Sequence, residues 1–195
     1  MAPVDVLLVS LGSTSGLRAA DAELRGALER AGARVAVAAA RPQREVRTLA
    51  RTDLAWARAA RVAAAAGIAA HAPHAVLYST TTAALLWPRP GAIRFDALAA
   101  RTRPGRHGVW QRPRERRRLG EATLLVPWSE RALEGAPSER AEALVVPVPV
   151  EPSGLGDPWG ARELAAVTYA ADPEKKGLDR VLAAWSAVRR EGETL

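Results

Sequence analysis

The chain is expected to be an α/β protein built on a Rossmann-like, doubly wound parallel sheet. Three observations point there. Short apolar, β-branched runs alternate along the chain with segments of helical spacing. The runs are apolar at nearly every position rather than at every second one, as in strands buried on both faces. And the first run passes directly into a Gly/Ser/Thr-rich turn followed by a helix, the start of a βαβ alternation.

Strands are predicted at 4–11 (VDVLLVSL), 33–39 (ARVAVAA), 75–79 (AVLYS), 91–96 (GAIRFD), 123–127 (TLLVP) and 143–148 (ALVVPV). The clearest helix is 17–31, with Leu17, Leu24, Leu28 and Ala31 on one face and Arg18, Glu23, Arg25 and Glu29 elsewhere. Gly32 is placed to end it. A longer helix is predicted over roughly 43–66, and others over about 81–86, 112–120 and 129–135.

The rhythm breaks at 149–162 (PVEPSGLGDPWGAR), where three prolines and three glycines fall without periodicity. This is the expected linker between a first domain, 1–148, and a second region, 163–195. The second region holds one more strand (163–170), a turn (ADPEKKG) and a helix over about 177–190, striped with Leu178, Val181, Leu182, Trp185 and Val188. One β-α unit cannot bury its own faces, so this region is expected to be the opening of a truncated second Rossmann-like domain.

Composition excludes some chemistry. There is no cysteine among the 195 residues, so disulfides, thiolate metal sites and thiol catalysis are ruled out. The segment MAPVDVLLVSLG has no basic flank and only a short apolar run, so it is assigned to a buried strand and the chain is expected in the cytoplasm. The net charge of +7 and isoelectric point near 11.0 favour anionic partners. Nearly all the cations are arginine, with lysine only at 175 and 176.

Five features could carry function. Gly12 and Gly16, with Ser13, Thr14 and Ser15 between them, stand where backbone N–H groups and a helix dipole favour an anion. The spacing matches neither the dinucleotide fingerprint nor the P-loop; the alternative is a capped βα turn. Arg44, Arg47, Arg51, Arg58 and Arg61 fall on one face of the predicted long helix, either as a solvated face or as peripheral contact with an anionic membrane surface. The stretch 101–120 is dense in arginine but has a single aromatic, Trp110, and no nucleic-acid motif, so nucleic acid is not the expected partner. Asp96 closes the fourth strand, where parallel sheets bind ligands; it is read as a proton acceptor or hydroxyl-orienting group, or as a cap or partner of Arg94. Lys175 and Lys176 sit before a helix beside Gly177, a good place for phosphate or simply an exposed turn. His71 and His74 flank Pro73 and are assigned to a loop; no metal site and no nucleophilic triad are expected.

In order, these pieces resemble a known family. The segment LAAVTYAADPEKKGLDRVLAAWSAVRREGE (164–193) is similar to the one that opens the C-terminal domain of GT-B glycosyltransferases of the group 1 (family 4) type. The Gly-rich first turn, the FD ending at 95–96 and LLVPWSERALE at 124–134 fall in the order of that family's N-terminal domain. The resemblance implies sugar transfer from a nucleotide-diphosphate sugar to an acceptor with retention at the anomeric carbon, with no cofactor and no required metal. It implies that Lys176 contacts the donor diphosphate, with Lys175 beside it. It also implies that Gly12 and Gly16 let the first loop approach the cleft, and that Asp96 stands where many relatives carry a histidine. The family's two-glutamate donor motif would lie beyond Leu195, so the chain is expected to be a fragment, inactive alone. A non-catalytic basic module that binds a polyanion or an anionic membrane is the competing expectation. A nucleotide-sugar epimerase is a third, disfavoured by the 169–185 segment.

Overall fold

The computed structural model describes residues 4–44, 46–148, 164–168 and 173–194, with backbone alone at 175 and 176. The chain divides into two compact units, Met1–Val150 and Glu151–Leu195.

The first unit carries five parallel strands: β1 (Val6–Ser10), β2 (Val35–Ala39), β3 (Ala75–Tyr78), β4 (Ala92–Phe95) and β5 (Leu124–Pro127). Their order across the sheet is β2-β1-β3-β4-β5, so the chain reverses direction between β1 and β3. This is an α/β, Rossmann-like architecture, and its order is one of the two common doubly wound ones. The sixth predicted strand is not a full strand. Leu125 N–H donates to the Glu142 carbonyl, and Leu144 and Val146 N–H groups donate to those of Leu125 and Pro127. The donors alternate, so Pro147 falls on the outer, unpaired side of this edge segment, where its missing N–H costs nothing.

Among the described residues this unit has the α-helices α1 (Ser15–Arg30), α2 (Leu49–His71), α3 (Thr81–Ala84), α4 (Ala99–Thr102) and α5 (Gln111–Glu121). The predicted long helix begins six residues later than expected, because the Thr48 hydroxyl caps it by accepting from Arg51 N–H. Arg44 and Arg47 therefore precede the helix and do not share its face. The same helix runs on to His71, so that histidine ends a helix rather than occupying a loop. The segment expected as helix 129–135 forms only a 3-10 turn, Glu130–Leu133, with Gly135 beyond it at φ 84°.

Two faces of the sheet are covered unequally. Helices α2, α3 and α5 and the following turns share one face, with Leu7, Val9, Tyr78, Ile93, Phe95 and Leu125 beneath them. Helix α2 approaches closely because it presents Ala57, Ala60, Ala64 and Gly67, all buried. A Cβ on Gly67 would stand 3.0 Å from the Leu7 methyls. The other face is packed by α1, through Leu24 against Leu8, Leu77 and Val126. At the amino-terminal strand ends it leaves an apolar groove of about 510 Å³, lined by Leu28, Ala75, Leu77, Ala92, Leu124 and Val146.

In the second unit, Pro173–Lys176 forms one helical turn (α6) and Leu178–Val188 a helix (α7), with Gly177 left-handed between them at φ 66°. The expected strand 163–170 is not seen at residues 164–168; Glu163, Tyr169 and Ala170 lie outside the described residues. So does most of the expected linker, 149–162.

The tight α2–sheet contact predicts that Ala64→Leu, which adds three heavy atoms to a fully buried site, costs roughly 1–3 kcal/mol. Urea denaturation would measure this.

Candidate functional site

The carboxyl edge of the sheet is where the strand alternation changes character. On the α1 side, Leu8, Leu77 and Ala92 give way, two residues on, to Ser10, Ser79 and Arg94. Asp96 and Trp128 follow β4 and β5 on the same side, and Trp128 N–H donates to the Phe95 carbonyl.

Asp21 descends from α1 into this polar layer. Ser10 Oγ donates to Asp21 Oδ2 at 2.6 Å. Ser79 Oγ accepts Leu11 N–H at 3.1 Å and reaches the Asp21 carboxylate as well. Arg94 Nη1 donates to the Ala20 carbonyl at 3.2 Å and meets Asp21 Oδ1 at 3.4 Å. Its guanidinium carbon lies 4.9 Å from the Trp128 ring centre. Arg94 is only 1% exposed. Burial raises the Asp21 pKa, against the pull of Ser10, Ser79 and Arg94. Burial also lowers that of Arg94, against the pull of Asp21. Each partner is thus pushed toward its neutral form: desolvation outweighs attraction in this pair. Among the described residues, Arg94 Nε and Trp128 Nε1 are buried donors without an acceptor.

The network holds the turn after β1. Gly12 has φ 57°, a left-handed conformation that favours glycine, and its carbonyl accepts from Arg18 Nη1 at 2.9 Å. Thr14 caps α1 by accepting Leu17 N–H. Gly16 lies in the first helical turn with nothing within 4 Å of where its Cβ would be. Its missing side chain is therefore not needed for packing, and it leaves the helix N-terminus open to approach.

Asp96 is exposed directly after β4 and is not paired with Arg94, whose partner is Asp21. Among the described residues no hydrogen bond or ion pair occupies the Asp96 carboxylate. It lines a cleft of about 390 Å³ with Arg101, Thr102, Ser129 and Arg131. That volume lies in the range of roughly 300–1,000 Å³ for small-ligand sites. Arg101 and Arg131 approach Glu134 at 3.3 and 3.7 Å. Gly12 and Gly16 share the carboxyl edge with Asp96 but do not line this cleft, and β3 separates their strands. The larger apolar groove lies at the opposite strand ends, away from these polar groups.

A second buried network fixes one wall of the cleft. Arg103 donates from Nε and Nη2 to both Asp53 oxygens, at 2.7 and 3.0 Å. Gln111 Nε2 adds a third bond to Asp53 at 2.9 Å. Glu115 accepts the Ala99 N–H that opens α4, at 2.8 and 3.1 Å. Burial raises the Glu115 pKa, opposed by bonds from Thr81 and Ala99 and by Arg103.

Lys175 lies in α6 and Lys176 ends it; their side chains lie outside the described residues. Among the described residues no cluster of His, Asp or Glu is arranged to hold a metal ion. Sequence reasoning missed Ser10, Asp21, Ser79 and Arg94 as a unit. The signal was there: Asp21 interrupts the apolar stripe of α1 between Leu17 and Leu24, and Arg94 interrupts the apolar run AIRF. Comparison with known proteins finds no matching family model, no matching curated protein and no matching solved structure.

Gly12→Ala is expected to cost about 1 kcal/mol for its left-handed backbone, whereas Gly16→Ala is neutral or gains up to about 1 kcal/mol. Thermal unfolding of the two variants would separate them. A second expectation concerns pH. The Asp21 pKa is higher folded than unfolded, so its contribution is fully present below the ordinary value of 3.8 and is lost as pH rises through the raised native value. The stability of the natural chain relative to Asp21→Asn should therefore fall across that window. Denaturation at a series of pH values would show it; a flat difference would mean that Asp21 does not titrate this way.

Proposed function

We propose that the first unit is the acceptor-side half of a GT-B glycosyltransferase that uses a nucleotide-diphosphate sugar. The observation that carries this reading is the unpaired Asp96 carboxylate at the carboxyl edge of a parallel sheet, in a cleft shared with Arg101, Thr102, Ser129 and Arg131. A carboxylate there can accept a hydrogen bond from an acceptor hydroxyl, orient it and take up its proton as the donor's anomeric carbon–phosphate oxygen bond breaks, the nucleoside diphosphate leaves and the glycosidic bond forms. The two arginines supply positive charge within reach of a developing anion, and Thr102 and Ser129 offer hydroxyls to a sugar. The Gly12 turn and the open α1 N-terminus give a second polar approach along the same edge. On this reading Lys176, with Lys175, contacts the donor diphosphate, and transfer proceeds with retention.

Saturation-transfer NMR of the whole chain with a panel of simple glycosides tests the acceptor side. At least one glycoside should bind, and Asp96→Asn should weaken it about tenfold or more while thermal unfolding stays unchanged. Binding indifferent to Asp96, or no binding across the panel, overturns the reading.

A further inference from the structure

Arginines from two helices that are distant in sequence converge on one groove of the first unit. The groove, of about 470 Å³, is lined by Leu54 of α2, by Leu86 and Trp110, and by Pro113, Arg114 and Arg117 of α5. Arg51, Arg58 and Arg61 lie three before, four after and seven after Leu54, so they continue its face along α2. Arg61 donates to the Leu86 and Trp87 carbonyls. Arg118, also in the groove, donates to the Leu85 carbonyl and stacks on the Trp87 ring. The carbonyl contacts orient Arg61 without neutralising it, whereas Arg118 also pairs with Glu121.

Carboxylates do not balance the surface. Asp53 and Glu115 belong to the same two helices, but both are buried and bonded inward, to Arg103 and Gln111 and to Ala99 N–H. Glu121 is shared by Arg117 and Arg118. Among the described residues Arg51, Arg58 and Arg114 have no acidic partner. Exposed aliphatic side chains belong to the same elements: Val62, four residues after Arg58 on α2, is 70% exposed, and Val109, which precedes Trp110 in sequence, is 65% exposed.

We infer that this α2–α5 surface docks on an anionic lipid bilayer. Unbalanced arginines answer the phosphates of the headgroup layer, and Val62 and Val109 enter the apolar zone just beneath it. Nucleic acid would satisfy the arginines but leave both valines unused. Of the two neighbouring aromatics, Trp87 is buried and Trp110 is held by its Nε1 bond to the Ala50 carbonyl, so neither is presented for base stacking. The surface differs from the arginine stripe expected from sequence. Arg44 and Arg47 are not on it, and the α5 arginines are. It lies apart from Asp96 and does not depend on the chemistry there.

The test is co-sedimentation of the whole chain with phosphatidylcholine vesicles, with and without about one third phosphatidylglycerol. Binding is expected only to the anionic vesicles and should drop at least tenfold in half-molar salt. Arg58→Glu combined with Arg114→Glu should lower it at least tenfold, whereas Arg25→Glu with Arg140→Glu on other surfaces should not. Val62→Ser with Val109→Ser should weaken it without changing its salt dependence. Equal binding to neutral vesicles, no binding at low salt, or equal loss in both charge-reversal pairs overturns the inference. So does tighter binding to a single- or double-stranded oligonucleotide at matched phosphate concentration. Circular dichroism confirms that each variant is folded, and the salt response of the natural chain stands independently of any variant.

Discussion

Arg94 leaves the middle of β4 on the α1 side, meets Asp21 at 3.4 Å, and through it joins Ser10, Ser79 and the turn that follows β1. Three strands and a helix are tied at one buried point. Removing one partner of such a pair leaves the other charge stranded, typically a loss of roughly 3–5 kcal/mol. An apolar layer of similar volume would pack the same space more cheaply. What the ionic arrangement adds is position: Leu11 N–H is held by Ser79, so the chain leaves β1 in one direction and Gly12 turns into α1 in one way.

That constraint divides the α1 side of the sheet into two zones. Toward the amino-terminal ends it is apolar and only partly covered, because α1 is the helix that packs there. Toward the carboxyl ends it is polar, first sealed by Asp21 and Arg94, then open at Asp96. The order of the strands explains the uneven covering. After β2 the chain moves steadily to β3, β4 and β5, and right-handed crossovers in that direction place α2, α3 and α5 on the opposite face. The carboxyl edge keeps the exposed polar groups, Asp96 among them.

The second network performs a similar task at a distance from the first. Asp53, Arg103 and Gln111 hold the segment after α4 against α2, while Glu115 fixes the start of α4. The cleft wall carrying Arg101 and Thr102 is set by these buried bonds rather than by exposed ion pairs. The same inward turn of Asp53 and Glu115 leaves the outer faces of α2 and α5 rich in uncompensated arginine. One packing solution thus shapes both the Asp96 cleft and the cationic surface behind it.

Much of the frame is legible in the residues alone. Apolar runs mark the strands, and all five observed strands lie inside predicted ones; the inner strands β1, β3 and β4 are buried on both faces, whereas edge strand β2 exposes Val37 and Ala39. The position of Asp96 just past β4 follows from the same pattern. Helix limits were less legible: a single hydroxyl at Thr48 decides where α2 begins, and the arginine spacing on either side of it looks continuous. The pairing at 142–146 rests on a few hydrogen bonds to β5 and forms less than a full strand. The pairing of charges belongs wholly to the tertiary structure. Arg94 stands two residues from Asp96 yet bonds Asp21, seventy-three residues away, because strand alternation and the α1 crossover bring those two together under cover. Sequence determined the sheet, its core and the position of Asp96 just past β4. The fold decided which charges were buried together and which stayed free, since burial and pairing depend on neighbours that only chain reversal supplies.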